Sequence, residues 1–347
     1  MATKRVLRMV LFLLVAMPSV AVSGAACDRS EPGASGSGEA APEAGGAAAS
    51  LPDTVVVRET GLYPEGIEYD PRSGGFLVSS VTRGSVTAVA DDGSHRVLVA
   101  DTAAPSTIGI QVAGGRLYVA RSDVSAAFDS TVEGRARLGV YDLASGRLLY
   151  AAELGPLAPG GRHFANDIAV DDEGNAYITD SLSPVIYRVG ADGSASVFAR
   201  DTLLGGGFGL NGIEIDPDGG LLVAVDSRRS LYRIPLDDPG RIERVRIDQP
   251  LRVDGMVRRA DGRLVAVATT IPDGGGPRTE LVELESRDGW QSARVTARAP
   301  LDAGAGPTTV ALRDGAAYVL LSHLGQLGSA EPAASFELVR VPLDGGA

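Results

Sequence analysis

Six stretches of this chain open alike and run alike. They are "GIEYDPRSGGFLVSS" from Gly66, "GIQVAGGRLYVARS" from Gly109, "DIAVDDEGNAYITDS" from Asp167, "GIEIDPDGGLLVAVDS" from Gly212, "GMVRRADGRLVAVAT" from Gly255 and "TVALRDGAAYVLLS" from Thr309. Each reads as a strand, a turn rich in Asp and Gly, and a second strand of alternating or continuous apolar residues. A third strand follows in every unit, such as "PVIYRVGADG", and a fourth in the first five, such as "ASVFAR". Four strands recurring at roughly 40 to 60 residues predict the blades of a β-propeller. The fold class is therefore all-β, a six-bladed propeller with four-stranded blades.

The sixth unit lacks a fourth strand, because the sequence stops just past the turn after the third. Ahead of the first unit, "DTVVVRET" at 53–60 has no hairpin partner of its own. Supplying the missing outer strand of the last blade, it would close the ring and remove an exposed edge. The propeller is thus expected over 53–347.

In a blade the first strand lies nearest the central axis. The residue ahead of it then stands at one rim of the channel. Those residues are Glu65, Ile108, Asn166, Asn211, Asp254 and Thr308. Four of the six carry a carboxylate or a carboxamide, where small or apolar residues would serve structure alone. Turn capping would also favour Asn, Asp and Glu, but four in one register point to a ring of converging oxygens. Without His or Cys, such a set suits a hard divalent cation, most naturally Ca²⁺, rather than zinc.

Loops between the second and third strands share that face. They are enlarged in units two, five and six: "SDVSAAFDSTVEGRAR", "TTIPDGGGPR" and "SHLGQLGSAEPAAS". His163 and His323 fall there too, with Asp180 and Asp226, whereas His95 falls on the opposite face. Several motifs fail on context. "GFGLNG" at 207–212 spells G-x-G-x-x-G but lacks the preceding strand and following helix of a dinucleotide site. The Asp-Gly turns lack EF-hand spacing, and no zinc-protease or nucleophile-elbow motif is present.

The N-terminus reads as an export signal over 1–26. Lys4, Arg5 and Arg8 precede an apolar run of about 14 residues, short of the roughly 20 that a membrane span needs. The single Cys, Cys27, follows small residues at the expected cleavage point and is similar to the lipid-modified Cys of bacterial lipoproteins. Ordinary signal cleavage, leaving a soluble exported protein with a free thiol, is the other reading. Residues 27–52 then comprise the lipidated Cys and a Gly/Ala/Ser/Glu tether too poor in apolar groups to fold. The formal net charge is −12 and becomes −15 without the three basic residues of the leader. A chain this acidic repels phosphate backbones, so nucleic acid is not an expected partner. The expected partners are a small-molecule substrate and a membrane touched only through the lipid anchor; the protein is expected to be monomeric and in the cell envelope.

The rim residues carry a resemblance to the family of gluconolactonases, regucalcin (senescence marker protein) and luciferin-regenerating enzyme. It runs over about residues 60 to 345. "PEGIEYD" looks like the family's E-G-P-x-W-D and implies that Glu65 is a metal ligand. "NDIAVDDEGNAYITDS" is similar to its N-D-G segment and implies a substrate-side role for Asn166. "NGIEIDPDGG" implies metal binding by Asn211, and "VDGMVRRADGRLVAVA" implies that Asp254 is both ligand and general base. The resemblance further implies a divalent cation and hydrolysis of lactones. Two positions depart from it: Phe164 stands where regucalcin-like members carry a substrate-contacting Arg, and Ile168 replaces the Gly after Asn-Asp. Both make the mouth less polar, which favours a more hydrophobic lactone or ester, as in the similar paraoxonases. His163 is a second expected catalytic base, since imidazole titrates near neutrality, and His323 an expected substrate contact. A propeller that binds a cation or ligand without catalysis is the alternative, because the fold hosts unrelated functions.

Overall fold

The computed structural model describes residues 51–101, 104–271 and 275–343. The expected export signal, Cys27 and nearly all of the tether lie outside them. Six separate antiparallel sheets follow one another along the chain. Their inner strands are Ile67–Asp70, Ser106–Ala113, His163–Val170, Leu210–Ile215, Leu251–Arg258 and Pro307–Arg313. Each inner strand touches the next, and the sixth touches the first. The architecture is a closed six-bladed propeller.

Closure occurs where the strand count requires it. Thr54–Val57 pairs antiparallel with Phe336–Val341, from Thr54 opposite Val339 to Val57 opposite Phe336. Val55 and Val57 are buried in the core between blades six and one. Asp53 O accepts from Arg340 N, and Pro52 O accepts from the Tyr318 hydroxyl, so the seam is hydrogen-bonded beyond the strand itself.

The Asp-Gly turns form for a local reason. In blade four, Asp216 Oδ1 accepts from the backbone N–H groups of Asp218 and Gly220 at 2.7 and 3.1 Å, and Gly219 adopts φ 75°. The carboxylate thereby replaces missing ladder partners at the hairpin tip. Each blade then buries its apolar residues against the next, giving one core for every neighbouring pair around the ring.

The inner strands close up because of glycine. Immediately after the axial residue stand Gly66, Gly109, Gly212 and Gly255. A Cβ on any of them would lie 2.0 to 2.6 Å from an atom of the neighbouring inner strand, such as Asp254 O for Gly212. Asp167 and Thr309 occupy the remaining two positions.

Two strands depart from the simple repeat. The outer strand of blade four is only Glu243–Arg244, after which Arg246–Ile247 crosses to run parallel with Ser292–Pro300 of blade five. From the enlarged loop of unit two, Gly134–Arg135 runs parallel with His163–Phe164 on the inner strand of blade three. That loop therefore leans over the channel. A seventh apolar cluster lies at this mouth. Tyr63, Ile108 and Phe164 meet Ala127 of the unit-two loop and Leu324 and Ala333 of the unit-six loop. The Tyr63 hydroxyl donates to Gln326 O and accepts from Ala333 N, both at 3.0 Å, pinning the unit-six loop down.

Candidate site in the central channel

The axial residues do not precede their strands, as the repeat suggested, but lie within them in five of the six blades. In blades two to six the register between first and second strands slips at one place, between Ala165 and Ile168 in blade three and Val253 and Met256 in blade five. The residues skipped are the axial residue and its successor. A register break of this kind re-aims side chains, and here it turns the axial ones toward the channel.

Three of the expected residues form a chain of hydrogen bonds across blades three, four and five. Asn166 Nδ2 donates to Asn211 Oδ1 at 3.1 Å, and Asn211 Nδ2 donates to Asp254 Oδ1 at 3.0 Å. Asn166 Nδ2 also donates to Ser181 Oγ at 2.8 Å. Its Oδ1 is buried with no partner among the described residues. Glu65 completes the group from blade one. Burial, then the nearby Asp254 and Asp167 carboxylates, holds the Glu65 carboxyl well above the usual range. Asp254 is pushed up to about 7 by burial and then by Asp226, while Asn211 and Arg252 pull the other way.

Three further acids line the channel that the repeat alone did not single out. Asp167 is raised to about 7 by burial, against backbone N–H bonds from Ile168 and Ile213. Glu68 is raised by burial and then by Glu214 and Asp167. Glu214 is raised by burial, although Ile215 N and Arg258 N donate to its two oxygens at 2.8 and 3.0 Å. Their signal was present in the sequence: "GIEY" and "GIEI" place Glu68 and Glu214 at the same step of two units.

These observations fit a hard cation. The ring offers two carboxylates and two amides, one amide oxygen is orphaned, and the Asp254 carboxylate adds to burial in raising Glu65. Glu65, Asn211 and Asp254 could hold the ion, with Asn166 beside it.

The other expected residues are held elsewhere. His163 precedes Asn166 by three residues on one strand and points away from the axis. Its Nδ1 lies 2.8 Å from Asp180 Oδ2 and 3.3 Å from the Tyr187 hydroxyl, and Gly155 packs on its ring. Asp180 is wholly buried and also accepts from Phe164 N at 2.8 Å. The His163–Asp180 pair thus fastens the top of blade three. His323 Nε2 lies 2.7 Å from Glu337 Oε2, in blade six. Phe164 is at the mouth but only 4% exposed. It packs against Phe208 at a centroid distance of 5.6 Å, beneath the loops of units two and six. The expected apolar mouth therefore exists as a closed cap.

With this geometry in place, similarity to known proteins becomes informative. Residues 63–278 match the SMP-30/Gluconolactonase/LRE-like region. Major allergen Mal f 1 of Malassezia furfur is 26% identical over 279 residues, covering 71% of this chain and 78% of that protein. Among solved structures, the Malassezia sympodialis allergen Mala s 1 superposes with a TM-score of 0.70 at 21% identity, covering 84% of this chain and 97% of that one. A calcium-binding protein, regucalcin, from Agrobacterium tumefaciens superposes with a TM-score of 0.55 at 20% identity, covering 83% and 95%. These superpositions share the propeller fold.

Proposed function

The chain belongs to the SMP-30/Gluconolactonase/LRE-like family, and from that premise we propose that it is a divalent-cation-dependent hydrolase of a lactone or ester. The observation that carries this reading is the hydrogen-bonded run Asn166–Asn211–Asp254 facing Glu65 in the channel. When bound there, a divalent cation, most naturally Ca²⁺, supplies Lewis-acid polarisation of an acyl carbonyl. Asp254, raised to about 7 by burial, is placed to accept a proton from the attacking water. Asn166, whose Nδ2 already donates to Ser181 and Asn211, would present its unpartnered Oδ1 to the ligand and accept from the attacking water, orienting it. His163 is engaged by Asp180 and Tyr187, so the proton-accepting role rests on Asp254 alone.

The first test is thermal melting with calcium. Binding to the folded state should raise stability by about 2.7 kcal/mol at a hundredfold excess over Kd. Asp218→Ala, in the turn at the far end of blade four, should show the same shift as wild type. A screen of lactones and aryl esters then reads turnover. Absence of both metal retention after dialysis and a calcium shift would remove the basis of this reading.

Asn166→Ala separates the two roles. Losing the neutral amide that positions the reacting water should lower kcat/KM by about a hundredfold while calcium affinity changes by only about threefold. Equal losses of both would make Asn166 a metal ligand.

A non-catalytic, cation-binding propeller is a second reading, favoured by the cap that buries Phe164. It predicts the calcium shift without turnover on any ester or lactone.

We also propose that the protein is an envelope lipoprotein anchored through Cys27. Among the described residues no helix is long and apolar enough to cross a membrane. Cys27→Ser should move the protein from the membrane fraction to the soluble one. Wild type found wholly in the soluble fraction would reject the anchor.

A further inference from the structure

The mouth is not symmetrical, and the asymmetry is visible two residues before each axial position. There the six blades carry Tyr63, Ser106, Phe164, Gly209, Arg252 and Gly306. The equivalence is structural. In four blades the carbonyl at this position accepts from a residue one to three positions past the second strand, as Phe164 O does from Ser181 N and Gly209 O from Asp226 N. In the other two the position pairs within the ladder, Ser106 opposite Ser122 and Arg252 opposite Thr269.

On the side of blades one to three, Tyr63 and Phe164 fill the mouth with the apolar cap. On the side of blades four to six, glycines flank Arg252 and bring no side chain over it. Gly306 has φ 62°, and a Cβ on Gly209 would stand 3.0 Å from Leu204 O, so both positions resist filling. Arg252 is the one cation among these six positions.

Its guanidinium is half used. Nε and Nη2 donate to the two oxygens of Asp226, the latter at 2.8 Å, in a side-on fork. Asp226 is buried, and the Arg252 side chain is 36% exposed. Nη1 makes no hydrogen bond among the described residues. Arg offers five N–H donors in fixed directions, and the end-on pair from Nη1 and Nη2 matches the spacing of two oxygens on one carbon. Asp226 cancels the charge, and the axial carboxylates nearby disfavour free polyanions. The fork therefore selects by shape, not by net charge.

We infer that the end-on edge of Arg252 is an anchoring subsite for a planar acyl group with two oxygens, a carboxylate or the O–C=O of an ester or lactone, with the ligand's apolar body lying toward Phe208 and the cap. This deepens the hydrolase reading and names its substrate class: an acyl compound with an apolar body, in place of a polyhydroxylated one. Arg252 acts as a specificity-determining residue, in blade five, opposite the apolar blades.

Isothermal titration with phenylacetate and with 2-phenylethanol tests it. The two share an apolar body and differ in the acyl group. Wild type should bind phenylacetate at least tenfold more tightly, with calcium and equally in EDTA. In Arg252→Gln, and in Arg252→Lys, which keeps the charge beside Asp226 but loses the fork, the preference should fall to within twofold while affinity for the alcohol is unchanged. Phe208→Ala should weaken both ligands alike. A preference that survives both arginine variants, that is absent in wild type, or that appears only with calcium overturns the proposal. Failure of the hydrolase reading shows itself differently: no turnover of esters or lactones while the preference for phenylacetate stands.

Discussion

Deleting residues 53–60 should abolish cooperative unfolding, whereas deleting residues 28–50 should leave the melting transition where it was. The first deletion removes Thr54–Val57 from the edge of Phe336–Val341 and takes Val55 and Val57 out of the core between blades six and one. Two buried valines contribute about 1.5–3 kcal/mol each. The lost ladder bonds add about 1 kcal/mol apiece. Together these approach the whole stability of a domain, about 5–15 kcal/mol, and they leave an open strand edge as a template for aggregation. Calorimetry on both truncations decides the matter. Equal melting of the two would mean that the seam between first and last blade does not hold the ring.

Asp254→Ala should have opposite effects with and without cation. Between the unfolded value near 4 and the folded value near 7, the folded protein binds protons at Asp254 and Asp167 that the unfolded chain has released. Raised carboxylates therefore stabilise the fold at low pH, and that contribution is lost as pH rises through about 7. Metal-free wild type should melt lower at pH 8 than at pH 5. The alanine variant should show a shallower decline and be more stable than wild type at pH 8 in EDTA, by a few kcal/mol at most. Calcium should reverse the order. It offsets the charge of Glu65 and Asp254 in wild type, while the variant, lacking one of two compensating carboxylates, should lose about 3–5 kcal/mol of affinity. Hydrolysis of esters or lactones should fall to background. The same calcium shift in variant and wild type would exclude Asp254 as a ligand.

Much of this was legible because a propeller writes its architecture locally. Each hairpin carries its own Asp-Gly turn, and the spare strand at 53–60 could be assigned by counting. The four oxygen-bearing axial residues were legible for the same reason, since one register repeated six times exposes what is out of place. What the repeat hid was the register break inside the inner strands. With the strand taken to begin at Asp167, His163 read as a loop residue free to reach the axis. Once the strand runs from His163, a separation of three from Asn166 puts the two side chains on opposite sides, and His163 turns to Asp180. In blade four the break also absorbs one residue, which returns Glu214 to the channel. The burial of Phe164 was not legible at all, because it depends on loops from units two and six meeting over a residue of unit three.

The seam of blade six also brings both ends of the described propeller to one face. Phe336–Val341 runs away from the mouth, and Thr54–Val57 runs antiparallel to it, so residue 53 and residue 343 both emerge on the side opposite the cap. Both ends are thus a handle on the back of the disc. A tether joined ahead of residue 51, such as the one ending in Cys27 proposed above, would attach on the face opposite the mouth that carries Arg252 and the axial oxygens. A chain segment leaving residue 53 or residue 343 on that face would leave the opposite mouth unobstructed.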